Sequence, residues 1–76
     1  MNDIDGKIIK LSDEIRLSGS DKGIVVADLD GGNFLAKYPE GEWGYLKEGV
    51  VVLSEQIGLV HLTKENVVLE NIRVKK

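Results

Sequence analysis

Five short apolar runs recur along residues 23–74: IVV (24–26), FLA (34–36), VVVL (50–53), LVHL (59–62) and VVL (67–69). Most of these runs are rich in β-branched side chains, and Gly stands in most of the gaps between them. Short strands separated by turn residues are typical of a small, strongly bent antiparallel sheet or barrel. We therefore predict an all-β fold, a single small barrel of about five to six antiparallel strands.

The 76 residues suffice for one domain, and we treat 1–76 as a single small β domain. A domain of this size buries a smaller fraction of its surface than a larger one, and the chain has no Cys to form a disulfide. Its core must therefore come from the apolar runs or from a partner chain. Composition is typical of a soluble globular domain, with 42% hydrophobic and 30% charged residues.

Turn chemistry places most of the element boundaries. The pair Gly31-Gly32 within DGGN (30–33) allows the positive φ that tight hairpins require and predicts a turn between two strands. Residues 1–12 fit either a short strand or a helical turn; we favour a strand, interrupted at Ser12-Asp13. The remaining predictions are a loop at 18–23, strands at 24–29, 34–38, 50–54, 59–63 and 67–74, a loop at 39–42, and an irregular extended segment or a single helical turn at 43–46.

An aromatic group beside acidic residues is the feature with the strongest binding character. Tyr and Trp combine a large rigid surface with a hydrogen-bonding tip, which suits interface anchors. An acidic rim around aromatics suits a basic peptide or protein partner. Trp43 and Phe34 could equally cap the core while the tyrosines cover its rim. The candidate partner-binding residues are Tyr38, Trp43, Tyr45, Glu40 and Glu42.

Other groups of residues lack the spacing or the number of ligands that a metal site or a catalytic site requires. The segment 28–33 resembles a calcium loop, but its fifth position would be Gly32 and its twelfth Pro39, neither of which supplies the required side-chain oxygen. His61 is the only His, and without Cys it cannot complete a zinc site. No nucleophile and base are paired in the sequence. We predict no catalytic residue, no metal site and no cofactor, hence not an enzyme.

Charge and hydropathy restrict the partners. Ten basic against thirteen acidic residues give a net charge of −3, which disfavours nucleic acid because phosphate binding relies on clustered Lys and Arg. The bases cluster only at the tail, at Arg73, Lys75 and Lys76. No apolar run approaches the roughly 18 residues that span a bilayer, and residues 1–5 lack the pattern of a secretory signal. We expect a cytoplasmic protein with no membrane contact.

The segment DKGIVV (21–26), followed by a Gly turn, is similar to the entry of many SH3-like and KOW-type barrels. The stretch WGYLKEGVVV (43–52), followed by GLVHL (58–62), resembles small uncharacterised bacterial proteins of the same shape. The resemblance covers roughly residues 13–74 and implies an SH3-like barrel, with no site residue carried over.

Three classes of function follow from these observations. The leading hypothesis is a non-enzymatic protein-binding module, or an accessory protein of a bacterial cell or mobile element. The alternatives are a homo-oligomeric structural protein, in which exposed strand edges pair with a second copy, and an SH3-like or KOW-type nucleic-acid or ribonucleoprotein binder.

Overall fold

The computed structural model describes residues 1–17 and 19–75; Ser18 of the predicted loop and Lys76 of the basic tail lie outside the described residues. The described chain is mostly strands that belong to one antiparallel sheet of six, together with two short helices, which confirms the all-β prediction. The strands are β1 (Glu14–Arg16), β2 (Lys22–Asp28), β3 (Asn33–Phe34), β4 (Val50–Ser54), β5 (Gly58–Leu62) and β6 (Arg73–Val74). The helices are α1 (Glu40–Trp43), continued by a 3-10 turn (Gly44–Leu46), and α2 (Lys64–Glu70).

The sheet is ordered β5-β4-β2-β1-β6, and β3 pairs with β2 beside this path. Strands β2, β4 and β5 pair in sequence order, with β3 and α1 inserted between β2 and β4. β6, in contrast, returns from the end of the chain to pair with β1. β1 and β3 share one edge of β2, at residues 22–24 and 27–28 respectively. Strand β2 is therefore the centre of the sheet, and β5 and β6 are its two ends.

The β4–β5 hairpin is closed by the three residues Glu55, Gln56 and Ile57, followed by Gly58 at φ +94°. A three-residue turn followed by a left-handed Gly is a common hairpin connection. It fixes the register in which Leu53 lies opposite Leu59 and Val52 opposite Val60. Ser54 stabilises the turn, because its hydroxyl oxygen accepts a hydrogen bond from the backbone N–H of Ile57 at 3.0 Å.

The inner face of the sheet carries the larger core. Val25, Val50 and Val52 from the central strands are fully buried there. They pack with residues from the N-terminal segment, from both ends of the sheet and from α2: Ile9, Ile15, Leu17, Leu62, Val67 and Ile72. One core therefore unites elements that are distant in the sequence.

A β-bulge at Val26 creates a second, smaller core on the outer face. Val25 pairs with Val52 and Ala27 pairs with Val51, so Val26 is an extra residue in β2. The bulge turns Val26 and Ala27 to the outer side, where both pack with Val51 and Leu29. Residues 29–49, which we call the insert, cover this cluster with Phe34, Leu35, Tyr38, Trp43 and Leu46.

The two ends of the insert are tied together. The backbone N–H of Leu29 donates to the carbonyl oxygen of Gly49 at 3.0 Å, and the N–H of Gly49 donates to Asp30 Oδ1 at 3.2 Å. Gly49 has φ +87°, and a Cβ at this position would collide with the carbonyl oxygen of Leu62. Only glycine therefore fits where the insert re-enters the sheet.

The prediction of a last strand over 67–74 is wrong in its first half, since residues 64–70 form α2 and only Arg73–Val74 are a strand. Asn66 caps the helix start by accepting from the backbone N–H of Thr63 at 2.9 Å. Asn71, with φ 52° and ψ 49°, ends the helix in the left-handed conformation. Val67 alone of the VVL run is buried, while Val68 and Leu69 are 67% and 79% exposed. Capping and one core contact outweigh the β propensity of the run.

Smaller differences concern boundaries. β2 begins at Lys22 within the predicted loop, and the returning strand predicted at 34–38 is reduced to β3 because residues 36–38 turn toward α1. The DGGN hairpin is confirmed, with Gly32 at φ +70°. Residues 43–46 take the helical alternative. In the N-terminal segment a strand forms only from Glu14, after a turn at Ser12 and a single bridge between Asn2 and Ile8.

Neither helix in the described part of the chain is long or apolar enough to cross a membrane.

Candidate interaction surface

The five residues predicted as a partner-binding group all lie in the insert, between residues 38 and 45, but they divide into two kinds. Tyr38 and Trp43 are half-buried and pack on the outer cluster, with ring centroids 6.2 Å apart and planes tilted by 54°. Such tilted pairs are favourable aromatic contacts. Tyr45 is 71% exposed, and Glu40 and Glu42 are exposed on α1.

Trp43 therefore belongs mainly to the core, the alternative that the sequence left open. Its indole Nε1 is buried without a hydrogen-bond partner among the described residues, which is unusual for a buried indole N–H. The rest of its ring helps to cover the outer cluster together with Leu46. Trp43 holds the insert on the sheet, and the exposed residues around it are the ones free to contact a partner.

Tyr45 is exposed, but the turn that carries it packs against the sheet. It lies in the 3-10 turn between Trp43 and Leu46, both of which pack on the outer cluster. The N–H of Lys47 closes this turn by donating to the carbonyl oxygen of Gly44 at 3.1 Å. An exposed aromatic side chain on a fixed backbone loses little conformational entropy on binding, a property of interface anchors.

The carboxylates near Tyr45 are free. Glu40, Glu42 and Glu48 are exposed, and their side chains form no ion pair or hydrogen bond with residues 1–17 or 19–75. In contrast, Asp30 at the start of the insert pairs with the N-terminal amino group of Met1 at 3.4 Å. Residues 40–48 thus carry three carboxylates without a paired cation in the described part of the chain and one exposed lysine, Lys47, in the same stretch as Tyr45.

A second surface was missed by the sequence analysis, and it lies on the uncovered half of the outer face. Ile24, Leu53 and Leu59 are directly opposite one another on β2, β4 and β5, and each is about 40% exposed, at 39%, 42% and 40%. The insert covers the next row on this face, formed by Ala27, Val51 and His61, and extends no further. This row lies two residues away along β4 and β5 and three along β2, because of the bulge at Val26. We call Ile24, Leu53 and Leu59 the outer row.

The outer row is charged at one end and apolar at the other. On β1 its next member is Glu14, which lies opposite Ile24 and binds Lys75 at 3.4 Å and Lys22 at 3.9 Å. Toward β5 the row ends at Leu59, at the edge of the sheet. The signal for this surface in the sequence was the unbroken VVVL run, because a strand that is apolar at every position presents apolar side chains to both faces.

His61 and the buried carboxylates serve the fold. His61 Nε2 donates to the carbonyl oxygen of Glu48 at 2.7 Å and so fastens the end of the insert to β5. Asp21 accepts from the Ser54 hydroxyl at 2.5 Å and from the backbone N–H of Gln56 at 3.3 Å, which supports the β4–β5 turn.

Among the described residues no three His, Asp or Glu side chains are grouped to hold a metal ion.

Asp3 ties the N-terminal segment to the last strand. Its carboxylate is 5% exposed and accepts from the backbone N–H of Asp5, Lys7 and Val74 at 2.8–2.9 Å. Burial acts to raise the pKa of this carboxyl, but the three N–H donors and the nearby Lys7 outweigh burial and hold the pKa below its ordinary value.

Comparison of the chain with protein-family models, with curated proteins and with solved structures finds no match. The function is therefore argued from the geometry of the surface alone.

Proposed function

We propose that this protein is a non-enzymatic protein-binding module that docks a basic peptide segment of a partner against the exposed part of the insert. The observation that carries the proposal is the exposure of Tyr45. Its side chain is 71% exposed, although Trp43 and Leu46 on either side of it in the chain pack on the outer cluster. Glu40, Glu42 and Glu48 supply free negative charge around it. A cationic segment with apolar side chains complements both features.

We also propose that the sheet coils into a partly open SH3-like barrel. Leu62 at the end of β5 and Ile72 just before β6 enter the same core, so the two ends of the sheet lie around one interior. Helix α2, which connects β5 to β6, adds Val67 to the same core. The bulge at Val26 supplies the strong twist that such coiling needs.

The binding proposal is tested by selecting peptides from a random displayed library on the wild-type protein. We expect the enriched peptides to carry an excess of Lys and Arg. Their affinity should fall at least tenfold for Tyr45→Ala, because the loss of a central aromatic anchor typically costs about 2 kcal/mol. The double variant Glu40→Gln/Glu42→Gln should weaken binding less, about threefold, and should reduce its dependence on salt concentration.

Ile8→Ala is the matched control, since Ile8 is 63% exposed on the N-terminal segment and does not belong to the insert. It should bind the selected peptides with unchanged affinity. Peptides that bind Tyr45→Ala as tightly as wild type, or that carry no basic excess, would contradict the proposal. Because Tyr45 makes little contact with the core, a far-ultraviolet circular dichroism spectrum identical to wild type is expected for Tyr45→Ala.

A further inference from the structure

The two edges of the sheet are protected to different degrees. β6 is only two residues long and is flanked by charge, with Arg73 inside it and Lys75 directly after it. β5 is five residues long and contains no Pro, Lys, Arg, Asp or Glu, and its pairing with β4 runs without a bulge. Exposed strand edges in monomeric proteins are normally blunted by such features, so β5 has the character of an edge that is covered by another strand.

The burial of Val60 agrees with an open edge. Val60 faces the inner core, as does its cross-strand neighbour Val52. Val52 is fully buried, whereas Val60 stays partly exposed, because no strand among the described residues pairs with the far side of β5. The outer row reaches the same edge, since Leu59 is its last member.

We infer that β5 pairs antiparallel with β5 of a second copy of this chain, about a two-fold axis at Leu59. This arrangement places Leu59 against its own counterpart and joins the two outer rows into one apolar stripe. The stripe then begins and ends with the charged residue Glu14, one from each copy, instead of running off the sheet edge. A two-fold interface must be self-complementary. The stripe meets this requirement, because both copies contribute the same apolar residues to it.

Charge complementarity favours a second copy. β5 is preceded by Glu55, whose side chain is 65% exposed and pairs with Lys22 at 3.9 Å, and is followed by the exposed Lys64. Because the two copies of β5 run antiparallel, the Glu55 end of each lies next to the Lys64 end of the other, at both ends of the interface. The axis at Leu59 pairs residues 58–60 of the two strands and leaves the turn at 55–57 and the start of α2 outside the paired segment.

The inference does not depend on the function proposed for the insert, since Tyr45 and the acidic residues near it take no part in it. The two are distinguished by their variants. Leu59→Lys should weaken dimerisation at least tenfold and retain peptide binding, whereas Tyr45→Ala should weaken peptide binding at least tenfold and retain the dimer.

Site-specific cross-linking tests the axis directly, because the chain has no Cys of its own. Residues directly opposite in an antiparallel pair have Cα atoms about 4.5–5.5 Å apart, within the range that a disulfide can bridge. Leu59→Cys should therefore form a covalent dimer rapidly under mild oxidation. The matched control is Leu69→Cys on α2, which is 79% exposed and should cross-link at least tenfold more slowly. Equal rates for the two variants would overturn the proposal.

Sedimentation equilibrium over a concentration series measures the dimer without cross-linking. Wild type should show a reversible dimer, and Leu59→Lys should raise the dissociation constant at least tenfold by placing two like charges at the axis. Leu69→Lys, which adds the same charge to the other exposed apolar patch, should leave the constant unchanged. A monomer at every concentration, or a dimer that is lost in Leu69→Lys and kept in Leu59→Lys, would overturn the proposal. The cross-linking result stands if Leu59→Lys does not fold.

Discussion

At the scale of single residues, the Asp3 carboxylate connects the two ends of the described chain. It accepts from two N–H groups of the N-terminal turn and from the N–H of Val74 in β6. Asp5 adds a more exposed pair to the same junction, with Arg73 Nη1 at 2.8 Å from its carboxylate. The buried, multiply bonded Asp3 contributes more to stability than the exposed pair, because solvent screens the latter.

The acid sensitivity of the fold should depend on Asp3. Its pKa in the folded state is lower than in the unfolded chain, so its ionisation stabilises the fold above the unfolded pKa. That stability is lost as the pH falls through the folded pKa. We expect Asp3→Asn to lower the free energy of unfolding by about 1–3 kcal/mol at pH 7 and to flatten its pH dependence between about pH 5 and pH 2. Urea denaturation across this range measures both effects.

Asp13→Asn is the control for Asp3, because the Asp13 carboxylate accepts a single exposed backbone N–H, from Lys10 at 2.8 Å. It should change the free energy of unfolding by less than about 1 kcal/mol. If the free energy of unfolding of Asp3→Asn falls with decreasing pH as steeply as that of wild type, the acid sensitivity of the fold does not depend on this carboxyl.

At the scale of elements, α2 is the segment where local and tertiary forces oppose each other most clearly. The run Val67–Leu69 has β-branched and apolar residues that favour a strand. Yet the Thr63–Asn66 cap begins a helix and Asn71 ends it, and the single inward position is taken by Val67. The helix exposes Val68 and Leu69, which a strand would have divided between the two faces of the sheet.

Two substitutions in α2 should act in opposite directions. Asn66→Ala removes the side-chain acceptor for the Thr63 N–H and should lower the free energy of unfolding by about 1 kcal/mol. Val68→Ala should leave the free energy of unfolding unchanged or raise it by about 0.5 kcal/mol, because Ala is the better helix former at an exposed position. Chemical denaturation of both variants measures the difference. A clear destabilisation by Val68→Ala would mean that this segment is not the helix described above.

At the scale of the whole molecule, the sheet separates two cores of unequal size. The inner core draws on the N-terminal segment, β1, β2, β4, β5 and α2, whereas the outer cluster rests on Val26, Ala27 and Val51 and is covered by the insert alone. The backbone N–H groups of residues 36–48 donate mostly to local acceptors, such as Tyr38 N–H to Leu35 O and Lys47 N–H to Gly44 O. The insert can therefore open without dismantling the sheet.

Native-state hydrogen exchange should resolve this difference. The amides of Tyr38, Trp43 and Lys47 should exchange at least tenfold faster than those of Val50–Val52 in the sheet, because they are released by local opening of the insert. Exchange measured by NMR at several low urea concentrations separates local from global opening. Equal protection of the two groups would show that insert and sheet unfold as one unit.

The candidate site at the aromatic group could be predicted from the sequence only in part. The types and spacing of Tyr38, Trp43 and Tyr45 indicate a binding element, but not which of them is buried. That depends on the bulge at Val26, which turns an apolar patch outward for Trp43 and Tyr38 to cover and leaves Tyr45 exposed. A bulge is a mismatch between two strands, so neither strand encodes it alone.

Local turn chemistry and β-branched runs act over a few residues, so they predict the antiparallel all-β character, the DGGN hairpin, and the strands at 24–28 and 50–54. The folded chain was needed to reveal the helix at Lys64–Glu70, the pairing of β6 with β1, and the outer row that ends at β5. These features arise from contacts between residues far apart in the chain, whose energies local propensities do not contain.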